Sequence, residues 1–117
     1  MVLKKVYSSD AKYLAATDIL IGDMSDINYE FLLFNRPIIL LANDWVRQEF
    51  PDIGIKCNLN NLLEAIHQSI QNPNEYETNR KIWLDKTHHK PDGKSAIRVL
   101  NKIIEFSKLD NPRLIFI

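Results

Sequence analysis

Two glycine-containing turns carry the residues best suited to chemistry: Gly22-Asp23-Met24-Ser25-Asp26, with Glu30 four residues on, and Asp92-Gly93-Lys94-Ser95. Each precedes a stretch with helical spacing. The start of a helix presents unpaired N–H groups and about half a positive charge, so it favours an anion such as phosphate. Ser25 is the phosphate ligand this chemistry selects, and a Ser25 or Asp26 side chain capping its own helix is the plainer use of the same residues. Asp23 and Asp26 repel a phosphate unless a divalent ion or a hydroxyl-rich group lies between. They would also suit a weak Mg²⁺ site, although an acidic helix start needs no metal. Glu30 either supports the helix dipole or accepts a hydrogen bond from a ligand hydroxyl. In the second turn Lys94 can meet an anionic group beside the glycine, with Asp92 and Ser95 next to it.

The remaining reactive side chains are isolated. His88 and His89 are adjacent and could exchange protons or bind a metal, but a solvated loop explains them as well. His67 falls inside a helical stretch and is expected to be less exposed. The lone Cys57 reads as a small buried apolar residue. No metal site and no cofactor is implied, and no catalytic residue can be named.

The first turn is placed by the elements around it. Ile19 to Ile21 and Ile38 to Leu41 are short apolar runs with β-branched residues, as expected of strands buried on both faces. Between them Ile27, Phe31 and Phe34 recur with a helical period. Strand, helix and strand make a βαβ unit, whose parallel strands need a right-handed crossover. The Ser25 turn then lies at the carboxyl end of a strand, where open α/β sheets bind ligands.

At 117 residues the chain is one domain by size, near the low end for a doubly wound nucleotide-binding fold. Lys plus Arg and Asp plus Glu number 15 each and are scattered, so no basic field for nucleic acid stands out. One cysteine excludes an internal disulfide and fits a reducing compartment. No apolar run nears the roughly 20 residues of a membrane span, and no signal peptide opens the chain, which suggests a cytoplasmic protein without direct membrane insertion.

Along the rest of the chain, Met1 to Tyr7 suggests an edge strand and Ala11 to Ala16 a short helix. Asn43 to Gly54 is a loop whose Trp45, Phe50 and Pro51 either line a pocket or fold back on the sheet. Ile53 to Cys57 is a further strand. Asn61 and Glu64 resemble a capping box ahead of a helix with Leu62, Leu63, Ile66 and Ile70 as its apolar stripe, stopped by Pro73. Glu75 to Lys86 reads as a surface helix anchored by Tyr76, Ile82 and Trp83. After the Pro91-Asp92-Gly93 turn, Ala96, Val99, Leu100, Ile103 and Ile104 define a last helix. Leu114 to Ile117 is an apolar tail that should pack against something.

The stretch ATDILIGDMSDINYEFLLFNRPIILL resembles the segment of CDP-glycerol glycerophosphotransferases of teichoic-acid synthesis in which a strand ends in Asp-Tyr-Ser-Ser. There a helix carries an acidic residue after an aromatic, and a Pro-led strand follows. DGKSAIRVL is similar to that family's Asp-Gly-Lys-Ala-Ser helix start. Nucleotide-sugar glycosyltransferases and sugar-nucleotide 2-epimerases of the GT-B type share the layout of the first motif. The resemblance implies donor nucleotide and phosphate contacts at Ser25, Glu30, Asp92, Gly93 and Lys94, with Asp26 and Ser95 beside them. Met24 stands where the family has an aromatic, and Asp26 where it has a second serine. His88 and His89 do not match the family's catalytic histidine motifs.

Together these readings predict an α/β, Rossmann-like open sheet of about four mostly parallel strands with flanking helices. The resemblance makes residues 1–117 a single truncated domain, part of the carboxyl-terminal, donor-binding lobe of a GT-B transferase. The expected ligand is a nucleotide-activated donor, CDP-glycerol or a nucleotide sugar. A partner chain supplying the other lobe, self-association, and a location at the inner face of the cell membrane are further expectations. The alternative is a non-catalytic interaction module that keeps the fold.

Overall fold

Four consecutive apolar residues, Ile38–Leu41, form the central strand of a three-stranded parallel sheet. The computed structural model describes residues 11–23, 25–42 and 49–108. The chain divides into two compact units, Met1–Thr87 and His88–Ile117. The first contains α1 (Ala11–Ala15), β1 (Leu20–Gly22), α2 (Ile27–Phe31), a 3-10 turn (Leu32–Phe34), β2 (Ile38–Leu41), β3 (Ile55–Cys57), another 3-10 turn (Leu59–Asn61), α3 (Leu62–Gln71) and α4 (Glu77–Thr87). The second contains α5 (Ser95–Ser107).

The sheet order is β1-β2-β3, with Leu20 paired to Ile38 and Ile39 paired to Ile55. Because side chains alternate along a strand, β2 feeds two cores. Ile38 and Leu40 join Leu14, Leu20, Phe31, Leu32, Phe50 and Ile53 on one face, where Trp83 and Leu84 of α4 also pack. Ile39 joins Cys57 and Ala65 on the other, where Leu62 and Ile66 of α3 close the layer. Ile38, Ile39 and Leu40 are each at most 1% exposed, and burial of such a side chain is worth about 1.5–3 kcal/mol. Gly54 is required by this packing: a Cβ there would overlap the carbonyl oxygen of Ile38.

The α/β class and the parallel βαβ unit agree with the expectation. Three strands are described; the edge strand expected over Met1 to Tyr7 lies outside the described residues, as do Trp45 and the tail from Leu114 to Ile117. β1 is not buried on both faces. Among the described residues it is an edge strand whose Ile21 is 39% exposed, because α3 packs over β2 and β3. The crossover helix is shorter than its periodicity suggests, with five α residues before the chain tightens into the 3-10 turn and ends at Asn35 in the left-handed region (φ 49°).

Four helix expectations need correcting. Asn61 makes no side-chain cap; Asn58 caps the start instead, its Oδ1 accepting from the N–H groups of Asn60 (3.0 Å) and Asn61 (3.3 Å). In α3 the fully buried positions are Ala65 and Ser69, whose small side chains let the helix approach the sheet, while Leu63 and Ile70 are exposed. His67, expected to be shielded, is exposed on that helix. In α4 the buried anchor is Arg80 and Ile82 is exposed.

Arg80 is 2% exposed and binds three oxygens. Its Nε donates to Asn35 Oδ1 (3.0 Å), and its terminal nitrogen donates to the carbonyls of Pro73 (3.0 Å) and Asn35 (3.4 Å). Asn35 in turn donates to Glu77 Oε1 (3.2 Å). The guanidinium therefore ties the end of the crossover to the end of α3 from the middle of α4. Burial lowers its pKa and Glu77 opposes that shift.

α5 forms where the last helix was expected, but it has no buried residue, and Ile97, Val99, Leu100, Ile104 and Phe106 are all exposed. No helix among the described residues is long and apolar enough to cross a membrane.

Candidate functional site

β1 ends at Gly22 and the chain turns through Asp23 and Ser25 into α2, so the turn sits beyond the carboxyl end of the strand. Ser25, Asn28 and Tyr29 form one wall of a small open hollow whose other wall is Glu49, Phe50 and Pro51, from the segment after β2. The hollow encloses about 280 Å³ including its mouth. Phe50 resolves the two expectations for its loop together: its side chain folds into the core at 6% exposure, while its residue still borders the hollow. Lys56 Nζ donates to the Phe50 carbonyl (2.9 Å) and Asn79 donates to Asp52 Oδ2 (2.8 Å), which fix that segment.

Ser25 and Asp26 are exposed, and neither side chain caps α2. The turn is closed by backbone instead. The amide of Asn28 donates to the Ser25 carbonyl (3.2 Å), and those of Tyr29 (3.0 Å) and Glu30 (3.3 Å) donate to the Asp26 carbonyl. The amides of Ser25, Asp26 and Ile27 meet no partner among the described residues. A five-residue helix has little macrodipole, so the anion-binding capacity here rests on those amides and the Ser25 hydroxyl. Glu30 is partly buried on the same short helix. Ser25, Asp26 and Glu30 thus lie on one turn and short helix, and of these Ser25 lines the hollow, with Glu49 as its acidic residue.

Asn28 was not singled out by sequence reasoning. It is 3% exposed, its Nδ2 donates to the Asp23 carbonyl, and its Oδ1 is buried without a partner among the described residues. An asparagine one residue into an apolar-periodic stretch reads as a break in the pattern, and nothing local marks it as a fixture.

The second turn belongs to the second unit. Gly93 has φ 72°, a conformation glycine adopts freely. Asp92 Oδ1 accepts from the Lys94 amide (3.0 Å), and both carboxylate oxygens accept from Arg98 (2.9 Å each). Arg98 also donates to Ser95 Oγ (3.2 Å) and to the Lys90 carbonyl (3.2 Å). The Lys94 amide and then Arg98 hold the Asp92 carboxyl below its ordinary range. Asp92, Gly93, Lys94 and Ser95 are therefore together, and the carboxylate of Asp92 already sits where an external anion would be received. Arg98 was missed because a cation on the polar face of a helix ordinarily reads as solvated. Among the described residues no cluster of His, Cys, Asp or Glu could hold a metal ion.

An open parallel α/β layer with a polar turn and a hollow beyond its strand ends has the layout in which open α/β sheets place ligand sites. The family model for CDP-glycerol:poly(glycerophosphate) glycerophosphotransferases matches residues 2–105, and the chain belongs to this family as a transferase-like domain. Neither the curated proteins nor the solved structures contain a match.

Proposed function

We propose that this domain binds a nucleotide-activated donor such as CDP-glycerol through the hollow beside Ser25, in a glycerophosphate transfer of the GT-B type serving teichoic-acid synthesis. The observation that carries the reading is the family match together with the exposed Ser25 hydroxyl beside amides that meet no partner among the described residues, at a strand's carboxyl end. A donor phosphate takes its hydrogen bonds from the Ser25 hydroxyl and the amides of Ser25, Asp26 and Ile27. The carboxylates of Asp26, Glu30 and Glu49 are acceptors, so they suit donor hydroxyls rather than phosphate oxygens. That division lets one acidic rim and one anionic ligand coexist. Within the second unit, Asp92, Gly93, Lys94 and Ser95 are a separate proposed phosphate-contact set, with Arg98 able to exchange Asp92 for a phosphate. Work on the inner face of the cell membrane fits such a donor and its polymer acceptor.

The test is a titration followed by amide resonances. CDP-glycerol should shift those of Ser25, Asp26 and Ile27 first, whereas shifts that spare these residues would refute the site. A second reading, an assembly module that keeps the fold, is favoured by the largely exposed apolar face of α5. Light scattering separates the two: concentration-dependent association with no response to donor supports assembly.

A further inference from the structure

The Gly22–Ser25 turn is held by an unusual side chain. Asn28 is buried, and its Nδ2 reaches back to the Asp23 carbonyl. Its Oδ1 lies against the bare Cα of Gly22, where a Cβ would overlap that oxygen and stand 3.0 Å from Asn28 Cγ. The same oxygen has no hydrogen-bond partner among the described residues. A buried unsatisfied amide oxygen opposes folding, so an apolar residue would serve stability better at this place. The amide contributes something else: it grips the one carbonyl from which the chain departs toward Ser25. No other side chain among the described residues bonds to the backbone of this turn.

We propose that Asn28 is a positioning residue of the donor site, acting through Asp23 and Gly22 to present the Ser25 hydroxyl and its neighbouring amides to the hollow. This rests on the donor reading above. Asn28 touches no reacting atom; it sets the path of the turn that does the binding. Gly22 and Asn28 are then one device, since the first must lack a side chain for the second to fit.

The test uses the full chain with Asn28→Asp, which keeps the shape but turns the donor nitrogen into an acceptor facing a carbonyl. Should that variant fail to fold, Asn28→Ala removes the bond without adding charge. Two quantities are read: hydrogen exchange at the amides of Asn28, Tyr29 and Glu30 relative to those of Ile39 and Leu40, and calorimetric affinity for CDP-glycerol. Loss of one fixing bond should accelerate exchange at the turn about tenfold over the strand and weaken the donor by about the same factor. Unchanged relative exchange overturns the proposal, and so does faster exchange with full affinity. If the unsubstituted chain itself ignores CDP-glycerol while exchange at the turn responds to Asn28, the donor reading falls and the proposed role in binding falls with it, leaving Asn28 as a structural fixture.

Discussion

Asn28 Oδ1 rests on the Cα of Gly22 with no room for a β-carbon between them. A methyl group at Gly22 must displace a side chain that is itself buried and bonded. Gly22→Ala is expected to destabilise the domain by about 1–3 kcal/mol, the usual cost of overpacking. Asn28→Ala in the same chain should return part of that loss. Denaturant unfolding of the two single variants and the double variant measures the coupling, and strict additivity would contradict the contact.

Arg80 makes a second prediction. Arg80→Met leaves the Asn35 side chain and two carbonyls short of donors, and should cost about 2–4 kcal/mol by urea denaturation. Arg80→Lys should recover little, because an ammonium cannot reproduce the fork that spans Asn35 and Pro73. A lysine variant as stable as the parent would show that the charge alone matters.

The pH dependence follows from Glu77. Its carboxyl is held below the ordinary glutamate range, first by the hydrogen bond from Lys81 and then by that from Asn35. A depressed carboxyl pKa means that the folded state binds fewer protons than the unfolded one. The stabilisation is complete above the ordinary glutamate value and is lost as pH falls through the lowered folded value. Melting temperatures between neutral and acid pH should therefore fall more for the parent than for Glu77→Gln. Parallel curves would remove Glu77 from the acid response.

The sequence made the centre of this fold legible and its fixings obscure. Ile38 to Leu41 is apolar without interruption because both faces of β2 are covered, and that pattern survives in any reading. The location of the turn that carries Ser25 and Asp26 was legible for a similar reason, since a polar turn between a strand and a helix has few possible locations. The errors have a common physical origin. In α3 the sheet is approached through Ala65 and Ser69, and close approach favours small residues that a search for large apolar stripes passes over. Arg80 and Asn28 are polar residues buried by hydrogen bonds to distant or backbone groups, and local pattern carries no trace of such partners. Asn58 was missed as a cap because a 3-10 turn separates it from the α-helix it starts.

The central claim is that the Ser25 turn receives the phosphates of a nucleotide-activated donor, and calorimetric titration of CDP-glycerol into the chain and into Ser25→Ala tests it most directly. The account predicts saturable heat with the parent and an affinity about tenfold weaker in the variant, the worth of one hydrogen bond to a charged group. Equal affinity in both chains, or no heat with either at millimolar donor, would contradict it.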